Sequence, residues 1–206
     1  MALTSKGAAT RQRIIEGAAS HLRETEFEEM TLDDVLAATR TSKGQLFHYF
    51  PGGKDELLLA VMRSEANRVL ADQQPHLDNL TTWAAWDSWR AALLERYRAQ
   101  GTACPLNSLI GQLGRTPGAR EVTRALLSQW QEHLATGIRS MQRSGSMSAD
   151  RDADYLAAAL LAGIQGGVIV MWSTGSTDHL ASALDVLFDS MSSPERAAAV
   201  QAGLSC

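Results

Sequence analysis

A chain of 206 residues that is 45% hydrophobic and 20% charged, with five prolines, can bury one substantial core or two small ones, and its composition excludes the disordered, collagenous and low-complexity classes. Two cysteines, Cys104 and Cys206, make no disulfide framework and lack the paired spacing of a zinc site, so no metal or other cofactor is expected. The basic start over residues 1–13 has no apolar stretch behind it, which points to a cytoplasmic protein, and the net charge of −4 argues against a nucleic-acid partner only as an average.

Helical punctuation runs along the whole chain and no stretch alternates with period two, so the chain reads as all-α with about nine helices. The first helix is expected after Thr10 as its N-cap, with Ile14, Ile15, Ala18, Ala19 and Leu22 recurring at helical spacing. The second begins at Thr31, where Thr31-Leu-Asp-Asp34 fits a capping box with Asp34 in place of Glu, and it ends near Ala38. After a turn at 39–41, Ser42 caps a third short helix through Lys43-Gly-Gln-Leu-Phe-His-Tyr-Phe50. Pro51-Gly52-Gly53 stops it, and Lys54 opens a fourth helix to about Gln73.

Charge is segregated along this stretch. Residues 1–15 carry Lys6, Arg11 and Arg13 with no acid, and 35–54 carry Arg40, Lys43 and Lys54 with no acid, while 16–34 hold seven acids against Arg23. This is the pattern of a small domain with one side toward phosphate. Two short helices joined by a three-residue turn also form a helix-turn-helix. Lys43, Gln45, His48 and Tyr49 supply its polar face, Leu46 and Phe50 turn inward, and Gly44 lets the backbone lie close to a sugar-phosphate chain.

Thr31-Leu-Asp-Asp-Val-Leu36 together with Ser42 through Leu58 resembles the DNA-binding domain of the tetracycline-repressor (TetR) family, over residues 10–62. The resemblance implies a helix-turn-helix domain at 1–62 and a helical effector-binding and dimerisation domain at 63–206. It implies a homodimer on a palindromic operator in double-stranded DNA, released when a small molecule occupies the second domain. The family's DNA contacts fall on Lys43, Gln45, Phe47, His48 and Tyr49, with Thr31 and Lys54 as phosphate contacts. Arg40 stands where the family commonly has Gly. An Arg at positive φ costs ~1 kcal/mol or more, so a reshaped turn is expected, with Arg40 as an extra phosphate contact. Residues 50–58, 103–109 and 160–167 resemble a branch that includes repressors linked to flavonoid and lincomycin responses, which implies aromatic or drug-like effectors.

All five tryptophans lie beyond Pro75, where helices are expected over 79–99, 105–114, 118–142, 150–173 and 177–191. On the first of these, Trp83, Trp86, Trp89, Leu93, Leu94 and Tyr97 share an arc of roughly 140°, with Arg90 in its middle. Two readings stand: a pocket for a flat or anionic ligand, or plain core with Arg90 snorkelling to the surface. Trp130, Gln165 and Trp172 are further pocket candidates. Cys104 is either a sensing thiol at a helix start or a structural one. The apolar run 156–172 falls short of the ~20 residues a membrane span needs. Its stripe Ala159, Gly163 and Gly167, with Leu180, Leu184 and Leu187, makes the expected dimer interface. No nucleophile motif, phosphate loop or metal pair appears, so an enzyme is not expected; the alternative to a regulator is a helical protein-interaction module without DNA binding.

Overall fold

The computed structural model describes residues 4–24, 31–101 and 113–192, and every helix or strand element among them is helical. Two compact units divide the chain: Met1–Ala71 with Ala103–Leu126, and Asp72–Thr102 with Leu127–Cys206.

In the first unit α1 spans Ser5–Glu24, α2 Leu32–Thr39, α3 Lys43–Tyr49 and α4 Gly53–Ala71. Helix α1 starts five residues before Thr10. The Thr4 hydroxyl accepts the Gly7 N–H at 3.2 Å, and Thr10 bonds back to the Lys6 carbonyl at 3.0 Å, so Thr10 is an interior residue and not the cap. The predicted apolar face of α1 is buried, and with Val35, Leu46, Phe50 and Leu57 it forms one core. Gly17 permits the crossing of α1 and α2, because a Cβ there would lie 2.8 Å from Thr39 Cγ2. Arg13 donates to the Thr39 carbonyl, and Arg23 pairs with buried Glu65 of α4 at 2.6 Å.

The second unit holds a 3-10 turn at Leu77–Asn79, α5 at Trp83–Gln100, most of α6 at Ala119–Arg143, α7 at Ala153–Thr174 and α8 at Asp178–Met191. Thr82 caps α5 by accepting the Ala85 N–H, and Asp152 caps α7 by accepting the N–H groups of Asp154 and Tyr155. Pairings along α8 set the helix directions. The Trp86 ring meets Phe188 at 5.6 Å, Arg90 meets Asp185 at 2.6 Å, and Arg98 donates to Thr177 at 3.2 Å, so α5 runs antiparallel to α8. Gly163 lies against Ala183 and Leu187, and Gly167 against Leu180, so α7 is antiparallel to α8 as well. Helices α5 and α7 are therefore parallel.

The glycines of the α7 stripe, Gly163 and Gly167, serve this internal crossing. A Cβ on Gly167 would sit 2.6 Å from Leu180 Cα, and one on Gly163 would sit 2.9 Å from Leu187 Cδ1. Leu180 and Leu184 are wholly buried inside the chain. Helix α7 extends beyond the apolar run to 22 residues and, with a mean hydropathy of 1.8 over its most apolar window, is long and apolar enough to cross a membrane, yet Leu160, Ile164 and Val168 within it are buried in the unit's own core. The helix expected over 105–114 begins outside the described residues, and Cys104 lies there too.

Candidate functional site

Ser42 fixes the start of α3. Its hydroxyl accepts the Gln45 N–H at 3.2 Å, and Gln45 Oε1 accepts the Ser42 N–H at 3.4 Å, closing a capping box. This sets the helix phase so that Leu46 and Phe50 point into the core while Lys43, Gly44, Gln45, Phe47 and His48 face solvent. Tyr49 is half-buried, and its ring meets that of His48 edge-on at 4.8 Å. Phe47 is 41% exposed, with one ring edge against Gly53 at the head of α4, where Lys54 also faces outward. The Arg11 guanidinium stacks over Phe50 at 4.8 Å. Around Gly44 no atom of another described element lies within 4 Å of a would-be Cβ, so packing among the described residues does not call for glycine there.

The flanks of α3 are held by hydrogen bonds. Thr31 accepts the Asp34 N–H at 3.2 Å, while its own N–H and hydroxyl donate to Asp34 Oδ2 at 2.8 and 2.6 Å. Those two bonds, hydroxyl first, hold the Asp34 carboxyl below its usual pKa, and the nearby His21 and Lys54 lower it further by Coulombic attraction. The Thr31 hydroxyl is thus already bonded in both directions. At the turn, Arg40 adopts the left-handed conformation directly, at φ 50° and ψ 45°. Its N–H bonds to the Ala37 carbonyl at 3.2 Å, and that of Thr41 to Leu36 at 3.0 Å. The turn keeps the geometry a glycine would take and is not reshaped; the side chain of Arg40 faces solvent.

In the second unit Trp86, Trp89 and Trp130 are fully buried. Trp86 packs edge-on against both Trp89 and Phe188. Trp83 and Trp89 satisfy their N–H groups on the Ser146 carbonyl at 2.9 Å and Gln73 Oε1 at 3.1 Å. Arg90 is engaged by Asp185 at 2.6 Å, which answers its charge. Trp172 lines a cavity of about 120 Å³ with Tyr97, Arg98, Met171 and Thr177. A larger groove of about 460 Å³ has Leu77 and Leu80 on one side and His133, Thr136 and Gly137 of α6 on the other. None of its lining was anticipated. His133 Nδ1 lies 3.0 Å from Asp78 Oδ1. The missed signal was Gly137 in mid-helix: a Cβ there would meet Leu80 Cβ at 2.6 Å and Trp86 Cζ2 at 3.1 Å.

Residues 14–61 match the bacterial regulatory proteins of the tetR family, and residues 82–187 match the tetracyclin repressor-like C-terminal domain. This chain belongs to the TetR family. It is 30% identical over 166 residues to the transcriptional regulator AcuR of Cereibacter sphaeroides, across 77% of this chain and 74% of that protein. Similarity to the HTH-type transcriptional repressor AcnR of Corynebacterium efficiens is 38% over 69 residues, 34% of this chain and 36% of the other. A crystal structure of regulatory protein TetR from Rhodobacter sphaeroides shares the fold with a TM-score of 0.75 at 24% identity, covering 88% of this chain and 98% of that one. As a TetR-family member the chain is a DNA-binding transcriptional regulator and not an enzyme.

Proposed function

We propose that this TetR-family regulator is a ligand-responsive repressor that binds a palindromic operator as a homodimer, with residues 1–62 reading DNA and 63–206 sensing a small aromatic or hydrophobic effector. The observation that carries the reading is α3, whose outward face offers Lys43, Gln45 and His48 around a Gly44 that the protein's own packing does not require. Gln45 reads a base edge in the major groove, with Phe47 and Tyr49 against apolar base edges such as a thymine methyl. Lys43, Lys54 and Arg40 contact phosphate; Thr31, already bonded to Asp34, is the least available of the set.

The effector enters beside Trp172 and Tyr97 and is sensed by the α5 aromatics. The resemblance to flavonoid- and lincomycin-linked repressors supports aromatic or drug-like chemistry for it, and the name of AcnR supports repression. For the dimer, the exposed face of α7 replaces the glycine stripe. Tyr155, Ile169 and, on α8, Val186 are 63%, 52% and 68% exposed, an apolar surface suited to a second copy. The two recognition helices then sit ~34 Å apart in successive major grooves. Such a regulator works in the cytoplasm, where its operator is.

Fluorescence anisotropy on DNA upstream of the protein's own reading frame tests this, titrated with salt and with unrelated DNA. Saturable, competitor-resistant binding with the stoichiometry of a dimer or a pair of dimers, falling steeply with salt, is the expected result. Absence of salt-sensitive binding to any DNA overturns it in favour of an interaction module, and equal affinity for unrelated DNA removes the operator-specific reading.

A further inference from the structure

Among the described residues, the second unit contains a set of buried polar atoms with no partner: Trp86 Nε1, Arg90 Nε, Trp130 Nε1, Gln165 Nε2 and Trp172 Nε1. All five are donors on α5, α6 and α7. An unpaired acceptor among the described residues of this unit, Gln74 Oε1, lies ahead of the 3-10 turn. A buried N–H without an acceptor costs free energy for as long as it stays unpaired, and such groups are rare in folded proteins. Trp83 and Trp89, on the same helix, have acceptors within the chain.

The helix directions bring several of these donors together. Arg90 stands opposite Asp185 on α8, and Gly163 stands opposite Ala183 and Leu187, so Arg90 and Gln165 occupy the same level of the bundle within a turn. Seven residues further along each parallel helix come Tyr97 and Trp172, which share the 120 Å³ cavity. The strip from Arg90 and Gln165 to that cavity is therefore ~10 Å long, at about 1.5 Å per helical residue.

Charge narrows what this strip accepts. The three lysines of the chain, Lys6, Lys43 and Lys54, all belong to the first unit. Arg90 is compensated by Asp185, and Arg98 bonds Glu95 and Thr177, each at 3.2 Å. A buried carboxylate would enter without a countercharge, and an ammonium would face N–H groups it cannot bond. An uncharged oxygen on an apolar ring matches both the donors and the aromatic walls.

We infer that the effector is a neutral ring compound carrying carbonyl oxygen, of the ketone, lactone or quinone class, held by the unpaired N–H groups of Gln165 and Trp172, which lie seven residues apart on one face of α7. This inference rests on the effector-sensing reading of the second unit. The test uses the full-length protein and four probes on one skeleton: 1-tetralone, tetralin, tetralin-1-carboxylate and 1-aminotetralin. Binding is followed by tryptophan fluorescence, and operator release by anisotropy.

The ketone binds at least tenfold tighter than the other three. Trp172→Phe and Gln165→Leu each weaken it three- to tenfold while leaving tetralin and operator affinity unchanged; should Trp172→Phe fail to fold, Gln165→Leu carries the comparison. Equal or tighter binding of the carboxylate or the amine overturns the inference. So does ketone affinity that the two variants leave unchanged, and so does a protein that holds its operator but binds none of the four. Selective ketone binding without operator release upholds the carbonyl site and removes the effector-sensing reading instead.

Discussion

The DNA-reading unit and the proposed sensing unit treat their polar groups in opposite ways. In the first, the short helices close their own ends. Thr31 and Asp34 cap α2, Ser42 and Gln45 cap α3, Thr39 bonds back to Val35 at 2.7 Å, and Arg23 reaches Glu65, whose Oε2 is the exception. In the second, large aromatic side chains fill the interior while N–H groups on three helices stay unpaired. A reader gains from rigidity, because base contacts require its side chains to be in place before DNA arrives. A sensor gains from incomplete pairing, because a ligand shifts an equilibrium only by binding one form better than the other, and unpaired donors give it something to complete.

The contrast can be broken most strongly at the core of the reader. Phe50 is wholly buried under Arg11, and Phe50→Ala should cost about 3–5 kcal/mol, lowering the denaturant midpoint and abolishing DNA binding. A variant with an unchanged midpoint would show that α3 is not anchored through this ring. In the sensing unit, Gly167→Ala places a methyl against the Leu180 backbone and should cost about 1–3 kcal/mol. Gly163→Ala meets only the movable end of Leu187 and should cost less than Gly167→Ala; equal losses would mean that the helices do not cross as closely as described. Within the reader, Gln45→Ala should remove about 1–3 kcal/mol of discrimination between operator and mutated operator, whereas Lys54→Ala should weaken all DNA alike and reduce the salt slope by about one. Intact preference in Gln45→Ala would move base reading to another residue.

The reader was legible in the sequence because its signals are local. Capping boxes, a proline-glycine stop and an inward pair at Leu46 and Phe50 each act within four residues, and all are present in the structure. Thr10 failed because an interior threonine that bonds back one turn looks like a cap from composition alone. The left-handed Arg40 was hidden for another reason: the hydrogen bonds of the turn outweigh a local cost of ~1 kcal/mol, which residue identity does not reveal. In the sensing unit the aromatic arc of α5 was visible, but the destination of Arg90 depends on Asp185, 95 residues away. The glycine stripe of α7 finds its partner on the very next helix, and periodicity states that a helix approaches closely without stating which helix it is.

Gly44 separates folding from function within the reader. Glycine inside a helix costs about 0.5–1 kcal/mol relative to alanine, and no neighbour within 4 Å explains its presence here. Gly44→Ala should therefore raise the unfolding midpoint, by up to about 1 kcal/mol, while weakening DNA binding through a methyl set against the sugar-phosphate chain. Tighter or unchanged DNA binding would remove Gly44 from the interface.

The smallest expected effect concerns acid. The Asp34 carboxylate is held below its usual pKa mainly by the Thr31 hydroxyl, then by the Thr31 N–H. A carboxyl whose folded pKa is depressed contributes stability above its unfolded pKa of about 3.9, and that contribution disappears as pH falls through the lower folded value. Asp34→Asn keeps a side-chain oxygen for the Thr31 N–H and removes the charge. The stability gap between the natural chain and this variant should be widest above pH ~5 and shrink as the pH drops below the ordinary carboxylate range. Because Asp34 lies near the surface, added salt should screen the part due to His21 and Lys54 and leave the Thr31 hydrogen bonds. A gap that stays constant down to pH 2 would place the cap's strength in its geometry alone, leaving the charge at the start of α2 without a role in holding the helix-turn-helix together.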